Sequence, residues 1–184
     1  SNNDVTPFYP ASYHLNNMIT VGALNGQPSN QIAGFSNYGI NSVDLVAPGT
    51  NIYSTLPNGA FGVNCGVDGS GNQIQNCYGS LSGTSMAAPH VSGVAGLVAS
   101  IRPDWTAQQI RDAIVYSTRY LPEIAKYVAS GGVVSAYNAV KVAVSGVIPA
   151  PFFHIHNSGS GTGTVVVNGK RCSTSDCIYV VPVG

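Results

Sequence analysis

The chain has 184 residues, enough for one domain core and a second small unit. Only 8% of them are charged, against about 25% in an average soluble protein, and the formal net charge is zero. Such a surface argues against nucleic acid or an anionic membrane as a partner, and no apolar run approaches the ~18 residues that cross a bilayer.

In chain order, residues 1–17 are rich in loop formers. Met18–Ala23 and Val43–Val46 read as short buried strands. Ile52–Leu56 and Tyr78–Leu81 flank a Gly/Asn/Gln-rich insert as the two arms of a hairpin. Ser85–Ser100 reads as a core helix with small residues at Ala87, Ala88, Gly93, Ala95, Gly96 and Ala99 for close packing, ended by Arg102-Pro103. Thr106 with Gln109 is a capping-box pattern, followed by an apolar face of Ile110, Ala113 and Ile114. Gly131–Val134 leads into a last helix near Ser135–Val144. Strands alternating with helices imply an α/β layered fold. A composition shift at Ser145–Pro151 divides residues 1–146 from residues 147–184. Beyond it Phe152–His156, Gly163–Asn168 and Ile178–Val183 alternate with period two, and Asn168-Gly169 is a hairpin-turn signal.

The cysteines form two local pairs, Cys65 with Cys77 and Cys172 with Cys177. Neither has Cys-x-x-Cys spacing or a neighbouring histidine pattern, so zinc is disfavoured. Two disulfides in an oxidising compartment are the favoured reading, and free thiols in a cytosolic protein the alternative. Each closed loop would contribute about 2–3 kcal/mol in the chain-entropy model.

The most informative string is Gly83-Thr84-Ser85-Met86-Ala87-Ala88-Pro89-His90. A serine behind a Gly-Thr turn, at the start of a helix, receives unpaired N–H groups and the positive end of the helix dipole, an arrangement suited to a nucleophile. Helix logic alone also allows Ser85 to be an ordinary N-cap. His90 lies about 140° around the axis from Ser85 at ~100° per residue, so it cannot act as the base and reads as a packing residue. His14 falls in a loop, His154 and His156 in the second unit, and Asp44 reads as a surface or turn carboxylate.

This string closely resembles the serine signature of the subtilisin-like proteases, or subtilases. Phe8–Tyr13, Met18–Ala23, Phe35–Gly39, Val43–Gly49 and Pro103–Ala113 extend the resemblance over residues 1 to about 146. It implies the C-terminal portion of a three-layer, parallel-sheet α/β domain. The Asp-Ser/Thr-Gly and His-Gly-Thr motifs of a subtilase triad do not occur here. The family's oxyanion asparagine is expected just ahead of Ser1, since Asn2 and Asn3 lack its Ala-Gly-Asn context. The resemblance therefore implies a secreted endopeptidase acting on proteins or peptides through an acyl-enzyme on Ser85. The remaining catalytic groups would come from an N-terminal part, as a companion chain or a missing segment. It further implies one oxyanion donor at Ser85 N–H, turn support from Thr84, and a substrate pocket of Phe8, Tyr9, Pro10, Ala11, Gly83 and Met86. A cis Tyr9-Pro10 bond is expected, and an oxidation-sensitive Met86. No cofactor is required, although structural calcium held weakly by carbonyls near Ala11 and Tyr13 is expected. The Cys65–Cys77 loop would be an insertion shaping the cleft rim. Residues 147–184 resemble the start of a small bacterial β-repeat module. The competing readings are an inactive fragment, or a binding module with a relic serine. An α/β-hydrolase esterase is disfavoured because Ala87 breaks Gly-x-Ser-x-Gly.

Overall fold

A computed structural model of the chain describes residues 1–26 and 29–149, and the backbone of four strands between residues 152 and 180. A four-stranded sheet is built from β1 (Val21–Leu24), β2 (Leu45–Pro48), β5 (Arg119–Tyr120) and β6 (Gly132–Val133), in the order β1-β2-β6-β5. The first three run parallel and β5 is antiparallel to β6, so the sheet is mixed, not purely parallel. The expected strand at Met18–Ala23 begins only at Val21. Gly131–Val134 supplies a strand before the last helix, and β5 was not expected at all.

Alternation along β1 and β2 sorts their side chains onto two faces. Ala23, Leu45 and Ala47 face α1 (Thr84–Ile101), which packs on both strands. α2 (Ala107–Val115) and α3 (Ala136–Ser145) pack on α1 and on each other. The opposite face carries Leu24 and Val46, and it is covered by Leu121, Ile124 and Val128 from the segment between β5 and β6. That segment forms turns and no helix, so the described residues carry a helical layer on one side of the sheet.

Local signals place the helix ends. The Thr106 and Gln109 capping box forms reciprocally, at 3.2 and 2.8 Å. Ser135 caps α3 through Asn138 N–H, and Gly146 ends it in the left-handed conformation at φ 72°. β3 (Ile52–Pro57) and β4 (Asn76–Leu81) pair antiparallel as the expected hairpin. Their connection is closed by a Cys65–Cys77 disulfide.

Beyond residue 150, β7 (Phe152–His156) pairs antiparallel with β10 (Asp176–Val180), and β8 (Val165–Val167) with β9 (Lys170–Cys172). Of the expected strands at 163–168 and 178–183, the described residues 165–167 and 178–180 are strand, and the remaining positions lie outside what is described. The Asn168-Gly169 turn and the Cys172–Cys177 bond lie outside what is described.

Candidate active site

α1 begins at Thr84, with Gly83 as its N-cap. Ser85 is therefore inside the first turn and is not the cap that helix logic allowed. Met86 N–H and Ala87 N–H both return to the Gly83 carbonyl, at 3.0 and 3.2 Å. The N–H groups of Thr84 and Ser85 precede these bonds and are left without an intrahelical acceptor, as in any first turn. They point positive charge at the place where the serine side chain emerges.

The turn is fixed to the sheet by backbone. Gly83 N–H donates to the Gly49 carbonyl at 2.8 Å, just past the C-terminal end of β2. Gly49 must be glycine for this approach, because a Cβ there would lie 2.6 Å from the Ala23 Cβ and 3.0 Å from the Gly83 carbonyl oxygen. Ser82 adds a second tie, its Oγ accepting from Asn51 N–H at 2.9 Å. The nucleophile turn is thus bound to the carboxyl ends of the parallel strands.

Ser85 is exposed, as part of the wall of an open cleft of about 420 Å³ between the β3–β4 hairpin and the first two turns of α1. Met86, Pro89 and His90 extend the helical wall, and Tyr53, Leu56 and Phe61 belong to the hairpin wall and its turn. No Asp, Glu, Lys or Arg lines this cleft. His90 is exposed and is not the packing residue expected. Its Nδ1 lies 2.8 Å from the Met86 carbonyl, one turn back, so Nδ1 is the donor. Among the described residues no hydrogen bond joins it to Ser85.

The two sides of α1 differ sharply. Ala87, Val91, Val94 and Val98 are buried, at spacings of four, three and four. Ala88, Ser92, Gly93, Gly96 and Leu97 are exposed, and a Cβ added to Gly93 or Gly96 would meet nothing within 4 Å. The expectation that small residues let this helix pack closely holds for Ala87, which is fully buried, and for Ala95, which packs against the core, whereas Ala88, Gly93 and Gly96 have no such neighbour among the described residues. Ser85 lies on the open side: on a helical wheel it falls within about 60° of Ala88, Ser92 and Gly96.

Sequence comparison accords with this geometry. The profile of the Subtilase family matches residues 1–144. The chain belongs to the subtilase family. It is 41% identical over 121 residues to subtilisin amylosacchariticus of Bacillus subtilis subsp. amylosacchariticus, covering 66% of this chain and 26% of that one. It is 42% identical over 121 residues to the extracellular basic protease of Dichelobacter nodosus, covering 64% and 18%. The solved structure of fervidolysin from Fervidobacterium pennivorans, described as a keratinolytic enzyme related to subtilisin, superimposes with a TM-score of 0.58 at 28% identity, over 79% of this chain and 22% of that one. This subtilase chain therefore spans about a quarter of that subtilisin and less than a fifth of that basic protease. The family match ends at residue 144 and lends no support to a β-repeat module beyond it.

The other expected site residues of the subtilase lie apart from the cleft. Phe8–Ala11 form an exposed turn held by Ser12, whose Oγ accepts from Phe8 N–H at 2.9 Å, and the Tyr9-Pro10 bond is cis. None of these four is among the cleft-lining residues. Near the expected cation position, the Ala11 carbonyl accepts from Thr20 Oγ1 at 2.8 Å and the Tyr13 carbonyl accepts from Leu15 N–H at 3.2 Å. Asp44, read from sequence as a surface or turn carboxylate, is half-buried near them. It takes Thr20 N–H at 2.7 Å and pairs with Arg111 of α2 at 2.6 Å. Burial pushes its carboxyl above the ordinary range, against the opposing pull of Thr20 N–H and Arg111. Among the described residues, no group of three His, Cys, Asp or Glu could hold a metal. No helix of the described residues is long and apolar enough to cross a membrane.

Proposed function

We propose that this chain is the nucleophile-bearing portion of a secreted serine endopeptidase. The observation that carries the reading is the position of Ser85: first turn of α1, at the ends of the parallel strands, exposed in a cleft on the uncovered side of the helix. Ser85 Oγ attacks the carbonyl carbon of a peptide bond. A histidine oriented by an aspartate takes the proton, and both groups reside on an N-terminal portion that covers the open face of α1. Its coverage would explain residues such as Gly93 and Gly96, which have no neighbour here. The tetrahedral oxyanion faces Ser85 N–H, a donor whose loss typically costs about 3 kcal/mol in the transition state. Collapse expels the amine, which takes the proton from the histidine, and leaves an acyl-Ser85 ester; water, giving a proton to the histidine, attacks the ester carbonyl, and the proton returns to Ser85 Oγ as the acid departs.

Substrates are proteins or peptides, with Phe8–Ala11, Gly83 and Met86 on the acyl side. The Cys65–Cys77 bond and the extracellular relatives support export. A weakly held calcium near Ala11 and Tyr13 would be structural and takes no part in the chemistry. The test is hydrolysis of a peptide by the full-length protease. Ser85→Ala should reduce turnover roughly a millionfold, and intact mass spectrometry should trap an acyl adduct on Ser85 in the wild type only. Undiminished turnover in Ser85→Ala would sink the assignment.

A further inference from the structure

The connection between β3 and β4 is an excursion held only by itself. Residues 66–73 are all exposed. A Cβ added to Gly66, Gly69 or Gly71 would meet nothing within 4 Å. A small hairpin forms within the loop: Ile74 N–H donates to the Gly66 carbonyl at 3.0 Å, and Asp68 N–H to the Asn72 carbonyl at 2.8 Å. The Asp68 carboxylate takes Ser70 N–H and Asn72 N–H, both at 2.9 Å. Among the described residues, every hydrogen bond of residues 66–74 ends within residues 58–75. None of residues 66–74 belongs to a core cluster or lines the Ser85 cleft. At the base of the loop, Asn58 N–H donates to the Gln75 carbonyl at 2.7 Å, and the Cys65–Cys77 bond joins the two stems covalently.

We propose that residues 66–74 are a processing site: a second copy of the protease hydrolyses one peptide bond in this loop, and the Cys65–Cys77 bond keeps the product a single covalent and active molecule. This rests on the proteolytic reading. Water supplies OH to the acyl carbon and H to the released amine as the C–N bond breaks, and no other bond is lost. Exposed loop tips of small and polar residues are preferred places for nicking. The exposed turns near Ala11 and Gly26 are instead tied to the framework, where Thr20 Oγ1 donates to the Ala11 carbonyl at 2.8 Å and Gly26 N–H donates to Thr50 Oγ1 at 2.9 Å. The hydrogen bonds of residues 66–74 are local and solvent-exposed, so the loop opens without disturbing the sheet. Once open, its nine residues span up to about 30 Å, enough to lie extended in the cleft of another molecule. The loop carries one charged side chain, Asp68, and the cleft has no Asp, Glu, Lys or Arg, so like charges do not oppose the encounter. The disulfide anchors both ends of the loop outside its own cleft, so the attacking serine belongs to another molecule.

The test uses full-length Ser85→Ala protein as substrate and a trace of full-length wild type as protease, followed by intact mass spectrometry with and without a dithiol. The first product should be heavier by one water before reduction. On reduction it should separate into two fragments that meet within residues 66–74. Nicked wild type should keep its turnover of an added peptide within about twofold of the intact enzyme, since the loop is no part of the cleft. A first cut elsewhere, or a spared loop in a preparation that cleaves the added peptide, overturns the inference alone. A larger loss of turnover on nicking overturns it as well. Wild type that cleaves neither the loop nor any peptide fails the proteolytic reading, and the inference falls with it.

Discussion

The two sides of α1 were built for different neighbours. One side presents Ala87, Val91, Val94 and Val98 to the sheet and to α2 and α3, and all four are buried. The other presents Ala88, Ser92, Gly93, Gly96 and a half-exposed Leu97 to open space. A solvent-facing side of a helix ordinarily carries charged residues, and α1 has none. Glycine in a helix interior costs about 1 kcal/mol against alanine. Two glycines there make physical sense only where something approaches the backbone closely. Ser85 opens this second side, so the face without neighbours and the nucleophile without a base are one problem.

The largest expected effect tests the packed side. Val98→Asp puts an unpaired carboxylate among Val94, Trp105 and the α3 residues, and it should cost more than about 4 kcal/mol in chemical denaturation. Arg111→Met tests the ion pair that ties α2 to the strand end. It should cost about 2–3 kcal/mol at neutral pH, because Asp44 loses its partner. The sign with pH is definite. Burial already raises the folded pKa of Asp44, and removing Arg111 raises it further, so the penalty is full above that pKa and shrinks as the carboxyl protonates on acidification. Denaturation midpoints of both proteins at several pH values check this.

On the open side the effects are smaller in the chain alone and of opposite sign. Gly96→Ala should stabilise the 184-residue chain by up to about 1 kcal/mol, through helix propensity with no steric cost. Gly96→Trp should be tolerated in the chain alone yet block folding of the full-length protease. If the bulky residue is harmless in both, the contrast between the two sides is only one of composition.

Much of this was legible because its signals are local. Thr106 with Gln109, Ser135 and Gly146 mark helix ends through contacts no more than four residues away. The Gly83–His90 string and the Cys65–Cys77 pair could also be read as contiguous or closely spaced sequence, although the tie of Gly83 to Gly49 that holds the turn could not. What was missed depends on distant partners. Asp44 is a half-buried ion-pair member because Arg111, 67 residues later, reaches it, and no local pattern announces that. β5 and β6 are two residues each, too short for a periodicity to register. His90 was read as a packing residue because its position around the helix keeps it from Ser85, whereas the described neighbours cover only one stripe of that helix and leave it exposed. Tyr53 and Tyr78 read as ordinary strand residues, and only the register put their rings together.

The central claim is that the open side of α1 is an interior face which brings a base to Ser85. It is tested most directly by the rate at which a fluorophosphonate labels Ser85 in the 184-residue chain alone and in the full-length protease. The account predicts labelling at least ~10³-fold faster in the full-length protein, with a rate that falls as a histidine protonates near its ordinary pKa of about 6.5. Equal rates, or a full-length rate indifferent to pH, would contradict it.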